Sequence, residues 1–296
     1  MTKTRDVGVS WRTPAKHGVM RSVIGQEVGV IGNAKFADIT RHVWWDLTAG
    51  NGVAEYDAPW RTSCSPGILA NHAAKARKPV DILLYEIQVG TYDRLLGELG
   101  NNLPTLGYEK DGEDRWVLDD RVRLRAVNAS GHTADTSILR PSDAVLVFND
   151  PNAITEWAMR PSFAQEVTNR GVGLFRSLST LGCNAAGIKR GDLEDGSGDA
   201  KRERRAWFEL IAAQQASLPA YRDLFLAGIE RDAAQWAYLL CTAQTWWGKT
   251  EAIFRTEFAK INRTTTMDWY RRDPARFEAA KRFLFLTRRE RELGVE

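Results

Sequence analysis

Val43-Trp44-Trp45-Asp46-Leu47 runs without a break into Thr48-Ala49-Gly50-Asn51-Gly52. The first half reads as a buried strand that ends on an acid. Two glycines follow four and six residues after Asp46, where they let the backbone pass close beneath a ligand that a Cβ would push away. A second apolar run, Ile82-Leu83-Leu84-Tyr85-Glu86, also ends on an acid. A carboxylate at the end of a second strand can accept hydrogen bonds from both ribose hydroxyls. Together the two runs predict the opening of a nucleotide-binding sheet.

Outward from these runs, further short apolar stretches read as buried parallel strands: His42–Thr48, Asp81–Glu86, Val122–Asn128, Ala144–Asn149, Val172–Ser177 and Trp236–Ala243. Helical patterns alternate with them at Ile68–Ala76, Thr91–Leu99, Ala153–Thr168, Arg205–Ala216 and Gly248–Ile261. Such alternation predicts an α/β fold with a doubly wound sheet. The expected layout is a helical lead-in over 1–40, a Rossmann-like domain over 41–262 and a basic helical extension over 263–296. Tyr108–Asp120 and Gly187–Arg205 are charged, glycine-bearing stretches and read as loops.

The phosphate question separates the possible ligands. A dinucleotide fold calls for a third glycine at the helix start, where this chain has Glu55 with Asp57 close behind. Negative charge at that point repels a pyrophosphate. It suits a nucleoside that carries a positive sulfonium.

At this point the sequence resembles the Rossmann-like S-adenosylmethionine-dependent methyltransferases. Asp46-Leu47-Thr48-Ala49-Gly50-Asn51-Gly52 is similar to their first motif, and Glu86 to their ribose-binding acid. The resemblance implies S-adenosylmethionine as cofactor, held by Asp46, Thr48, Gly50, Gly52 and Glu86, with Asn128 at its adenine. It also implies that Asn149, Asp150, Pro151 and Asn152 surround the transferred methyl and the acceptor atom. In layout the chain is most similar to the three-Cys-motif partner proteins, through Ser65-Pro66-Gly67-Ile68-Leu69-Ala70 and through Trp236–Gly248 with its following helix. Enzymes that methylate adenine amines usually carry a second proline and an aromatic ring at the fourth motif, the ring stacking on the flipped base. Asp150-Pro151-Asn152-Ala153 has neither.

Composition narrows the setting. The chain has 296 residues, 43% hydrophobic and 27% charged, which is a globular balance. Three cysteines and four histidines show no disulfide or metal spacing. Met1–Arg12 lacks an apolar signal core, and no apolar run reaches the ~20 residues that span a bilayer. A cytoplasmic protein without membrane contact is therefore expected. Ala243–Thr250 matches a relaxed phosphate-loop pattern, but Trp246 and Trp247 occupy the turn where backbone amides must curl around phosphate. Lys249 is read there as an ordinary basic residue at a helix start.

The net charge is only +3, so any polyanion contact must be local. Lys201–Arg205 forms one basic cluster, and from Lys249 onward 12 Lys and Arg face eight acids. These stretches, 201–205 and 249–291, are the expected contacts to DNA or RNA. The resulting expectation is a methyltransferase acting on nucleic acid, most naturally at a base amine such as adenine N6. The alternative is a catalytically degenerate protein of the same fold that binds a protein or nucleic-acid partner.

Overall fold

A computed structural model of the chain describes residues 13–32, 36–54, 58–150, 160, 162–183, 222–231 and 234–243. These fall into two compact units. The first holds, in chain order, α1 (Thr13–Ile31), β1 (Arg41–Asp46), α2 (Trp60–Ser63), α3 (Ser65–Ala73), β2 (Val80–Tyr85), α4 (Val89–Asn102), β3 (Glu109–Lys110), β4 (Arg115–Leu118), β5 (Val122–Val127) and β6 (Asp143–Asn149).

Its strands are ordered β3-β4-β5-β2-β1-β6, and β5, β2, β1 and β6 are parallel. The chain moves outward from β1 through β2 to β5, then returns to the other side of β1. This reversal makes the fold Rossmann-like α/β and opens a crevice at the carboxyl ends of β1 and its neighbours. The register Trp44↔Ile82 and Trp44↔Leu146 sets the core face across three strands.

Helices α1, α3 and α4 cover that face. Helix α1 contains Gly18, Gly25 and Gly29 among β-branched residues, a weak intrinsic helix former. Tertiary burial holds it instead, through Val19, Val23, Ile24 and Ile31. Glu27 is also fully buried. Its Oε1 accepts from the indole Nε1 of Trp44 at 3.0 Å and lies 3.3 Å from His42 Nδ1, which pins α1 to β1.

At the opposite, amino-terminal end of the sheet, Arg41 reaches both neighbouring strands. Its Nε donates to Asp143 Oδ1 at 2.9 Å and Nη1 to Asp81 Oδ2 at 2.7 Å. The two carboxylates hold the guanidinium pKa above its usual value, with the bond to fully buried Asp143 the largest cause.

The stretch Tyr108–Asp120, expected as a loop, contains the antiparallel β3–β4 hairpin, which extends the sheet beyond β5. The alternation Trp116 inward, Arg115 outward is what builds it. Asp114 sits 3.1 Å from Arg125 and 3.5 Å from Arg115, offsetting two arginines that face each other across the pair.

The second unit contains α5 (Phe163–Asn169), β7 (Leu174–Cys183), β8 (Arg222–Arg231) and β9 (Ala234–Ala243). Strand β9 lies between β7 and β8 and is antiparallel to both. The expectation of a parallel strand at Trp236–Ala243 is thus corrected. Arg231 pairs with Ala234, so only two residues of sequence separate the strands, too few for the crossover that a parallel pair requires. Of the helix expected at Ala153–Thr168, the described part begins at Phe163. The Arg160 guanidinium lies over the Phe163 ring at 4.9 Å and donates to Glu166, fixing that helix start. The helices expected at Arg205–Ala216 and Gly248–Ile261, the loop Gly187–Arg205 and the C-terminal extension lie outside the described residues. Among the described residues no helix is long and apolar enough to cross a membrane.

Candidate functional site

The carboxyl ends of β1, β2 and β5 bring together Asp46, Thr48, Gly50, Gly52, Glu86 and Asn128. Beyond the last residue of β1, the chain is stitched to both neighbours. Leu47 donates its N–H to Phe148 O at 2.9 Å, and Ala49 donates to Tyr85 O at 2.9 Å. The loop therefore leaves the sheet at a fixed height between β2 and β6.

Asp46 is buried, and its Oδ1 accepts the Thr48 N–H at 3.1 Å. This bond shapes the turn that follows β1. Gly50 and Gly52 take φ of 64° and 68°, left-handed values that disfavour any Cβ. The space around Gly50 is open. At Gly52 a Cβ would stand 2.7 Å from Leu95 Cδ1, because α4 packs directly beneath.

Trp60 closes the loop's far side. Its indole Nε1 donates to Gly52 O at 2.7 Å. Its own carbonyl presses on Gly67, where a Cβ would lie 2.3 Å from the oxygen. This close approach is why glycine follows Ser65-Pro66 at the start of α3. Buried Cys64 accepts the Gly67 N–H at 3.4 Å and donates to Trp60 O. Glycine loop, Trp60 and α3 are thus one connected piece. The sequence signal for it was Gly67, which with Pro66 directly precedes the expected helix; Trp60 had no such signal.

Glu86 follows β2, half-buried, with one oxygen accepting the Gln88 N–H at 2.8 Å. Asn128 follows β5 and braces this turn: its Nδ2 donates to Glu86 O at 2.9 Å. That leaves Oδ1 as an acceptor at the same rim. Ile87 and Val89, beside Glu86, are 65% and 63% exposed, the two most exposed large apolar side chains described. Sequence reasoning passed over both. An apolar residue directly after a strand-end acid was the signal available.

Residues 42–54, 86–93 and 126–139 carry Asp46, Glu86, Asp93 and Asp135, and Arg94 and Arg140 directly follow the second and third stretches. The arrangement offers acceptors, an apolar platform and a glycine floor. Glu55 and Asp57, read as further acids of this loop, lie outside the described residues.

Asn149, the last residue of β6 and the first of the second unit, is 1% exposed, with neither its amide nitrogen nor its oxygen hydrogen-bonded among the described residues. A buried amide without partners is costly in a finished core and ordinary where a ligand completes it. Asp150 follows, half-buried. Pro151 and Asn152 lie outside the described residues, as do the basic stretches 201–205 and 249–291.

No family model matches the chain, and no curated protein matches it in sequence. Solved structures do resemble it. Protein LPL1258 of Legionella pneumophila is 9% identical with a TM-score of 0.48, the match covering 87% of this chain and 95% of that one. A 16S rRNA (adenine(1408)-N(1))-methyltransferase of Catenulisporales acidiphilia is 9% identical with a TM-score of 0.36, covering 71% and 89%. SMU.1697c of Streptococcus mutans, a candidate methyltransferase solved with S-adenosylhomocysteine, is 9% identical with a TM-score of 0.35, covering 70% and 94%.

Proposed function

We propose that the protein is an S-adenosylmethionine-dependent methyltransferase that acts on nucleic acid, at a base amine such as adenine N6. One observation carries the reading: beside the glycine loop that follows β1, the acid Glu86 and the amide acceptor Asn128 are braced together by a 2.9 Å hydrogen bond. A carboxylate-bearing rim favours a cationic sulfonium over a pyrophosphate. The named neighbours point the same way in substance class, one being an rRNA adenine methyltransferase and one solved with the demethylated cofactor. The narrower likeness to the three-Cys-motif partner proteins rests on Ser65–Ala70 and belongs to this proposal too.

Each residue has a role on this reading. The free oxygen of Glu86 accepts from the ribose hydroxyls, Ile87 packs against the adenine face, and Asn128 Oδ1 accepts from the adenine amine. Gly50 and Gly52 let the loop pass beneath the amino-acid tail. Asn149 and Asp150, with Pro151 and Asn152, accept hydrogen bonds from the acceptor amine and align its lone pair. The bound cofactor supplies a methyl that is already electrophilic, so these residues act by orientation and proximity.

Calorimetric titration with S-adenosylhomocysteine tests the cofactor site. Micromolar binding that disappears in Glu86→Ala supports it, and no binding to the wild type overturns it. Methyl transfer to adenine-containing RNA and DNA then separates the enzyme from the second reading, a cofactor-binding protein without turnover. The single proline and missing aromatic of Asp150-Pro151-Asn152-Ala153 favour that second reading.

A further inference from the structure

The polyanion contacts expected from the sequence lie in stretches outside the described residues, yet the described residues carry a basic surface of their own. Helices α1, α2 and α3 pack on one another. Across residues 13–32 and 58–80 they hold Lys16, Arg21, Arg61, Lys75, Arg77 and Lys78 against a single acid, Glu27. That acid is fully buried and spent on Trp44 and His42. It does not screen the surface.

Geometry lines these cations up. Arg21 Nη1 donates to Thr62 O at 2.7 Å, beside Arg61. Farther along α1, Gly25 faces the His72 ring, and Gly32 faces the Arg77 stem. The two helices thus run in the same direction, with Arg61 and Arg21 at one end of α3 and Lys75 and Arg77 at the other. Nine residues of α3 span ~13 Å, and the flanking cations lengthen the row to roughly 20 Å. A duplex carries one phosphate per strand for each ~3.4 Å of its axis, so a row of this length spans several phosphates. Arg61, Lys75 and Arg77 are exposed, and none forms an ion pair or side-chain hydrogen bond with a described residue.

Two histidines register the field. Burial, then Lys16 and Arg21, lowers His17 to about 2, and burial, Lys75 and Arg21 lower His72 to about 4.

We infer that this row, Arg61, Arg21, Lys75 and Arg77 on the face of α1–α3, tracks the phosphate backbone of a nucleic acid. The inference deepens the proposed function by placing the polymer on the side of the domain where the loop of Gly52 and Trp60 enters α3. Three exposed cations, Arg61, Lys75 and Arg77, with no exposed acid among the described residues of these helices, match a regular polyanion; an acidic protein surface would bring scattered charges.

The test uses the full chain and a short fluorescently labelled RNA hairpin, followed by anisotropy at several salt concentrations. The triple variant Arg61→Ala/Lys75→Ala/Arg77→Ala should lower affinity at least tenfold and reduce the slope of log affinity against log salt by roughly 2 to 3. Its circular dichroism should match wild type. Unchanged RNA affinity in this variant overturns the inference, as does absence of RNA and DNA binding by the wild type. Displacement of the RNA by polyglutamate as readily as by unlabelled RNA also overturns it, in favour of an acidic protein partner. S-adenosylhomocysteine titration of the same samples reads the cofactor site separately. Loss of that binding in the wild type with RNA binding intact would sink the methyltransferase reading and leave the row standing.

Discussion

The side-chain amide of Asn128 donates to the backbone carbonyl of Glu86 at 2.9 Å, so the residue that follows β5 holds the turn that follows β2. The acid and the amide at the rim are therefore coupled. Asn128→Ala should weaken S-adenosylhomocysteine binding about tenfold, ~1.4 kcal/mol, by losing both the brace and the acceptor. Asn128→Asp keeps an acceptor but faces the Glu86 carbonyl with a carboxylate, and should bind as weakly. Calorimetry on both checks this; full affinity in either variant removes Asn128 from the site.

Gly50 and Gly52 share a left-handed backbone and differ in their surroundings. Gly50→Ala carries only the conformational cost, about 1 kcal/mol. Gly52→Ala adds a clash with buried Leu95, for a total of about 2 to 3 kcal/mol. Chemical denaturation of the pair measures the difference. Equal losses would mean that α4 yields freely beneath the loop.

Arg41→Ala removes the counter-charge of buried Asp143, leaving it only the Arg140 N–H at 2.7 Å, a change that costs about 3 kcal/mol. Because Arg41 sits at the amino ends of the strands, cofactor affinity of the folded fraction should not move. Denaturation midpoints and calorimetry separate the two quantities.

His17 is neutral in the folded chain because burial lowers it to about 2. Unfolded, it takes up a proton below its ordinary value near 6.5. Stability is thus fully present above pH 6.5 and falls as pH drops, by about 1.4 kcal/mol per unit from this residue. His17→Leu should remove that share of the slope between pH 6.5 and 5. Identical slopes in the two proteins would show that His17 protonates in place.

Asp150→Ala should abolish methyl transfer while cofactor binding stays near wild type. Turnover by that variant would take Asp150 out of the acceptor site.

The parts of the fold that were legible in the sequence are those with long buried runs. Val43–Asp46 and Ile82–Tyr85 read as strands because both faces are apolar, and the acids and glycines after them appear where expected. The β3–β4 hairpin was illegible because Glu109–Lys110 is two residues long and wholly polar; only the spacing of Trp116 and Leu118 betrays its partner. Strand β8 left a clearer trace, Leu224-Phe225-Leu226-Ala227, beside charged neighbours. Spacing alone could not tell that Asp46 turns inward to Thr48, since an acid at a strand end serves a ligand or a loop with the same sequence. That distinction needed the burial of its side chain.

The indole of Trp60, hydrogen-bonded to the carbonyl of Gly52, has a practical consequence. Trp44, Trp45 and Trp116 are sealed in the core. Trp60 is half-buried and bonded to the glycine loop itself. Its contribution, isolated by subtracting the spectrum of Trp60→Phe, makes the chain its own optical probe of occupancy. Ligand can be titrated against it without label or radioisotope.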